Sequence, residues 1–138
     1  MIRSIWINLP VKDVHKSKAF FTHIGFTPNS SYGVRDDSAS FLVGDGQLVV
    51  MLFERSSYEG FAGVDLPAHL NGAEVLFSID AESPEEVDEL ARKVIEAGGS
   101  VYGEPAYKDG WMYGCGFIDL DGQRWSVLYM DTSNMPLG

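Results

Sequence analysis

The sequence predicts an α+β fold made of two similar βαβββ modules, and three observations carry that expectation. The run Phe41-Leu42-Val43-Gly44-Asp45-Gly46-Gln47 recurs as Phe117-Ile118-Asp119-Leu120-Asp121-Gly122-Gln123, with Asp-Gly-Gln closing both copies. Each copy is followed by an apolar, strand-like stretch, Leu48 to Phe53 and Trp125 to Met130. Each is preceded, further upstream, by an apolar strand and an amphipathic helix. A repeat covering about half a chain implies two supersecondary units rather than a solenoid of many short ones. Two such units about a pseudo-twofold axis would curve a mixed sheet around a central cleft, and function is expected there. The modules are expected at residues 1–68 and 72–138, sharing a core as one domain.

The first module opens with a strand from Ile5 to Val11, with Ile5, Ile7, Leu9 and Val11 on one face and Trp6, Asn8 and Pro10 on the other. Asp13 is placed to cap a helix from Val14 to about Ile24, which Gly25 stops. Short strands are predicted near Phe26 to Thr27, Ala39 to Val43 and Leu48 to Phe53, and Asp45-Gly46 marks a hairpin between the last two. Glu54 to Gly72 reads as a long irregular connector, either a cleft wall or a simple link. The second module opens at Glu74 to Ile79, with Val75, Phe77 and Ile79 on one face and Glu74, Leu76 and Ser78 on the other. Ser83-Pro84-Glu85-Glu86 combines a serine cap, a first-turn proline and a glutamate three past the cap, so a helix begins there; Gly98-Gly99 ends it. Strands follow at Ser100 to Tyr102, Trp111 to Asp119 and Arg124 to Met130.

The apolar face of each opening strand suits packing beneath its helix, which leaves Trp6, Asn8, Glu74 and Ser78 to the cleft. In the closing strand, Trp125, Val127 and Tyr129 would lie under the helix and Arg124, Ser126 and Leu128 would face the cleft. Superposing the two Asp-Gly-Gln runs sets Val50 opposite Ser126, so Val50 is the cleft position expected in the first module.

Composition narrows the function classes. At 138 residues and 45% hydrophobic, the chain can bury a core without disulfides or metal, and it is neither disordered nor membrane-spanning in character. The single cysteine, Cys115, permits no internal disulfide and fits a reducing cytoplasm. A net charge of −10, without a basic stripe, argues against nucleic acid; its field would favour cationic small molecules or serve solubility alone.

Candidate chemistry is sparse. Glu74 opens an otherwise apolar strand, where partial shielding would raise its pKa and suit a general base; pairing with a cationic ligand, solvation or pairing with Arg124 are equally open. Trp111, Tyr113 and the glycines around Cys115 make an aromatic, glycine-rich strand that suits a small-molecule pocket, a core or an interface. His15 and His23 are eight apart on one helix and do not pair as ligands, and His69 sits in the connector. Cys115 has no neighbouring histidine and reads as inert. No glycine-rich phosphate loop precedes a helix.

Asn8-Leu9-Pro10-Val11-Lys12-Asp13, leading into Ser17-Lys18-Ala19-Phe20-Phe21 and Gly25-Phe26, resembles the glyoxalase/bleomycin resistance protein/dioxygenase family, the vicinal oxygen chelate superfamily. Asp119 to Trp125 supports the resemblance near the other end. The resemblance implies a glyoxalase-like fold, a homodimer and a reaction class that the fold leaves open, since relatives include lyases, isomerases, dioxygenases and metal-free drug binders. Metal ligands of the family carry over to Trp6, Val50, Glu74 and Ser126, of which only Glu74 is an ordinary ligand. The expectation is therefore a cytoplasmic protein without a metal site, binding a small organic ligand through Trp6, Asn8, Val50, Trp111, Tyr113, Arg124 and Ser126 around a catalytic or pairing Glu74. The alternatives are an enzyme using one divalent ion on Glu74, and an accessory subunit whose cleft is plugged by its own Trp6.

Overall fold

The computed structural model describes residues 2–30, 35–45, 47–69 and 72–136. The chain divides into two compact units at residues 1–69 and 70–138. Both show the expected βαβββ order, and the α+β class holds.

The first unit runs β1 (Trp6–Val11), α1 (Val14–Ile24), β2 (Thr27–Pro28), β3 (Ser38–Val43) and β4 (Leu48–Glu54), followed by α2 (Arg55–Ala62). Its sheet has the order β1-β4-β3-β2, with β1 parallel to β4 and the other pairs antiparallel. Asp13 caps α1 by accepting from the Lys16 amide at 3.0 Å, and Gly25 ends it in the left-handed region at φ 116°. Buried Val14, Phe20, Phe21 and Ile24 form one stripe of α1. Phe21 meets Phe26 and Phe41 at centroid distances of 5.0 and 5.9 Å, and Leu9, Val11, Val50 and Leu52 complete the core.

The second unit runs β5 (Leu76–Asp80), α3 (Pro84–Glu96), β6 (Ser100–Lys108), β7 (Met112–Ile118) and β8 (Arg124–Met130), closing with a 3₁₀ turn at Thr132–Asn134. The order β5-β8-β7-β6 repeats the pattern of the first sheet. Ser83 accepts from the Glu86 amide at 3.1 Å, while the Glu86 carboxylate receives the Glu82 amide at 3.3 Å, one residue outside the usual reciprocal box. Val87, Ala91 and Val94 of α3 are buried, as are Phe117, Trp125 and Val127 of the sheet. Trp125 stacks on Phe117 at 6.0 Å and meets Phe77 at 4.8 Å.

Four expectations need correcting. Ile5 lies outside β1 and is 72% exposed. The stretch read as an irregular connector holds α2. The strand expected at Ser100 to Tyr102 continues to Lys108, with register shifts that accommodate extra residues against β7. Val50 is 3% exposed and pairs with core Phe41, so it points into the core. The cause is turn length: four residues separate paired Val43 and Leu48, but five separate paired Ile118 and Arg124. One residue of difference inverts strand parity. Gly46, part of the hairpin signal, lies outside the described residues.

Candidate functional site

Strand parity puts Val49, Met51 and Phe53 of β4 on the sheet face opposite α1. In the parallel ladder Trp6 stands beside Val49 and Asn8 beside Met51, so β1 contributes to the same face. Over this face lies a cavity of about 910 Å³. Its floor is Trp6, Val49, Met51 and Phe53, and α2 supplies Ser56, Ser57, Gly60 and Phe61. Arg35, Asp37 and Ser38 close one side.

The α2 wall is held by aromatic and polar ties. Phe61 meets Phe53 edge-on at 4.8 Å and Tyr58 at 6.0 Å. The Leu66 amide donates to the Glu59 carboxylate at 2.7 Å, and Arg55 donates to the Pro67 carbonyl, so the following segment is fastened along the helix. On the polar side, Arg35 Nε donates to Asp37 Oδ1 at 3.1 Å and Ser57 Oγ lies 3.4 Å from Asp37 Oδ2. The Arg35 hydrogen bond holds the Asp37 carboxyl below the usual aspartate value, so it stays ionised at neutral pH. The cavity therefore offers flat apolar and aromatic surface with hydroxyls and one carboxylate at its margin, the usual makeup of a small-molecule site.

The sequence-predicted site residues separate into groups. Trp6 lines this cavity and is 56% exposed, so it borders the space without plugging it. Asn8 shares the face of Trp6 but is not among the lining residues. Val50 is on the wrong face, and Met51 takes the place it was assigned. Glu74 lies in an exposed bend two residues ahead of β5, without the shelter expected of it. In the second unit, Arg124 and Ser126 alternate with buried Trp125 and Val127 and so occupy the opposite face of β8. The Arg124 guanidinium lies 4.6 Å from the centroid of Tyr102.

Tyr113 turns the other way. Its hydroxyl donates to Asp88 of α3 at 2.7 Å, a bond that pushes its pKa up to about 12, so it stands on the helix side of β7. Trp111 is half-buried just ahead of β7, where its carbonyl accepts from the Asp131 amide at 2.8 Å. The glycines of β7 make room for the protein itself. A Cβ on Gly116 would lie 2.4 Å from the Tyr102 ring, and one on Gly114 would lie 2.4 Å from the Val127 carbonyl oxygen. Burial pushes the Cys115 thiol up to about 11, which disfavours a nucleophilic thiolate.

The sequence reading missed Arg35, Asp37 and the α2 face. The signal for α2 was the spacing of Tyr58 and Phe61, which a helix brings to one side. Among the described residues, no three of His, Cys, Asp or Glu form a group able to hold a metal ion. Among them, too, no helix is long and apolar enough to cross a membrane.

Residues 3–32 match the family described as "Bleomycin resistance protein-like N-terminal". A hypothetical protein from S. aureus is 37% identical, with a TM-score of 0.80 over 94% of this chain and 95% of that one. A glyoxalase/bleomycin resistance protein/dioxygenase family enzyme from Burkholderia phytofirmans shares the fold at 19% identity, TM-score 0.76, covering 91% and 96%. A glyoxalase-related enzyme from Fulvimarina pelagi does so at 16% identity, TM-score 0.80, covering 100% and 94%. No curated protein matches the chain in sequence. The N-terminal residues 3–32 are thus similar to the bleomycin resistance protein-like family, and the fold of the whole chain is shared with the glyoxalase-related structures.

Proposed function

We propose that the protein binds a small, largely apolar organic molecule in the cavity over β1 and β4, without the metal triad of its metal-using relatives. The observation that carries the reading is the cavity of about 910 Å³, large enough for a ligand of drug size. In this reading Trp6 and Phe61 offer faces for a ring, Met51 adapts to its shape, and Ser56, Ser57 and Asp37 orient its polar groups. Asn8, on the same strand face, stays in the proposal as a further contact, and Arg124, Ser126 and Trp111 stay as candidate contacts on the second unit taken by itself, while Val50 and Tyr113 leave it because of the faces they occupy.

Equilibrium binding of a panel of aromatic, cationic and neutral ligands to the purified protein is the test. Binding that falls at least tenfold in Phe61→Ala supports the reading, and failure across the panel overturns it. Metal content after purification without chelators decides the competing chemistry. One transition metal per chain that disappears in Glu74→Ala would replace this reading with a metal-dependent lyase, isomerase or dioxygenase.

A further inference from the structure

We propose that a second, smaller notch, between the first turns of α1 and the outer edge of the first sheet, binds the anionic group of a small molecule, a carboxylate or a phosphate. The notch encloses about 180 Å³, and His15, Lys18 and Arg35 all line it. His15 and Lys18 are three apart on α1 and so share one face of the helix. Arg35 reaches the same space from the segment ahead of β3.

The remaining wall is partly apolar, from Val14, Pro28 and Ala39, and its polar part is tied by hydrogen bonds. Ser38 and Ser40 are each 8% exposed, and Asn29 Nδ2 donates to Ser40 Oγ at 3.2 Å. That bond occupies an acceptor position of Ser40 and leaves the hydroxyl proton to donate elsewhere. The Asn29 amide is meanwhile tied to the Ser40 carbonyl at 2.8 Å, which fixes this edge of the sheet.

Among the described residues, no carboxylate lines the notch. Of the three nearest in sequence, Asp13 caps α1, Asp37 accepts from Arg35 Nε, and exposed Asp36 is not among the lining residues. That pairing uses one of the five N–H donors of the guanidinium, whose fork geometry suits a bidentate oxyanion. In a chain with 20 acidic and 10 basic side chains, three cationic or protonatable groups around a hollow that no described carboxylate lines run against the composition. The volume suits a carboxylate or phosphate group, and the exposure of the charged tips sets a modest affinity, roughly millimolar. This site is separate from the ligand reading above, although Arg35 and Ser38 line both spaces.

Titration of inorganic phosphate and of acetate into the full chain, followed by amide NMR shifts against sodium chloride at matched ionic strength, tests it. Saturable binding is expected in the wild type, with shifts centred on Lys18, Asn29 and Ser40. Lys18→Gln should weaken it several-fold and Lys18→Gln/Arg35→Gln at least tenfold, with circular dichroism unchanged. Phosphate saturating alone assigns the site to phosphates, and acetate saturating alone assigns it to carboxylates. Equal affinity in wild type and variants, or a response that sodium chloride reproduces, overturns the proposal.

Discussion

Asp119 shows how much one buried carboxylate can organise. Its Oδ1 accepts the amides of Asp121 and Gln123 at 2.9 and 3.0 Å, and its Oδ2 accepts the Trp125 indole N–H at 3.0 Å. It thereby ties the second Asp-Gly-Gln turn to the core. Burial outweighs those donors and pushes its pKa up to about 6 from an ordinary 3.8. A raised folded-state value means that the folded chain binds the proton more tightly than the unfolded one. The contribution of Asp119 to stability therefore grows as pH falls from above 6 toward 4, by an amount on the order of 3 kcal/mol. Asp119→Asn should cost about 1–3 kcal/mol, because an amide oriented for the turn leaves the indole N–H facing another donor. Chemical denaturation should show that cost larger at pH 5 than at pH 7.5, and a pH-independent difference would refute the assignment. The second residue-scale prediction concerns Val50 and Met51. Val50→Ala removes core volume and should lower stability by about 2 kcal/mol with ligand binding unchanged. Met51→Ala, on the cavity floor, should weaken ligand binding at least threefold. The opposite pattern in denaturation and binding measurements would restore the face first read from the repeat.

At the scale of elements, strands and capped helices were legible because their signals are local. Asp13 and Gly25 bound α1, Ser83-Pro84 starts α3, and strand alternation separates Trp125 from Ser126. Turn length was not legible in the same way: both copies end in Asp-Gly-Gln, yet the turns differ by one residue, which hid the true partner of Ser126. The helix α2 escaped notice because it buries no residue fully and carries Gly60 in its interior, so neither a core stripe nor propensity announced it. The glycines of β7 suit a small-molecule pocket or a packed core in the sequence, and their local contacts are with the protein itself. An added Cβ at Gly114 meets the Val127 carbonyl, part of the β8 backbone, which cannot move without disturbing the ladder. At Gly116 it meets the tip of the Tyr102 ring, which can swing aside at the expense of its contact with Arg124. Gly114→Ala should therefore destabilise the protein more than Gly116→Ala, the latter by about 1–2 kcal/mol. Equal midpoints in parallel thermal melts would contradict this ranking.

For the whole molecule, the doubled pattern in the sequence was enough to read the fold, because two copies of one topology leave few alternatives. The proposed ligand site was less legible, since it depends on Arg35, Asp37 and α2, which belong to no repeat. Net charge acts on a third scale and makes the salt dependence of anion binding a discriminating measurement. The chain carries −10, so an approaching anion is repelled by the molecule and attracted by Lys18 and Arg35 at the notch. These forces have different reach. At about 0.01 M salt the Debye length is roughly 30 Å and the whole negative field is felt; near 0.15 M it is about 8 Å and distant carboxylates are screened while the notch groups still act. Near 1 M it falls to about 3 Å, and the local attraction weakens too. Phosphate affinity should therefore rise from 0.01 M to about 0.15 M sodium chloride and fall again toward 1 M. A monotonic fall from the lowest salt would mean that local attraction dominates throughout and the molecular field contributes nothing. A monotonic rise would mean that the notch supplies no electrostatic attraction of its own, and would count against an anion site there.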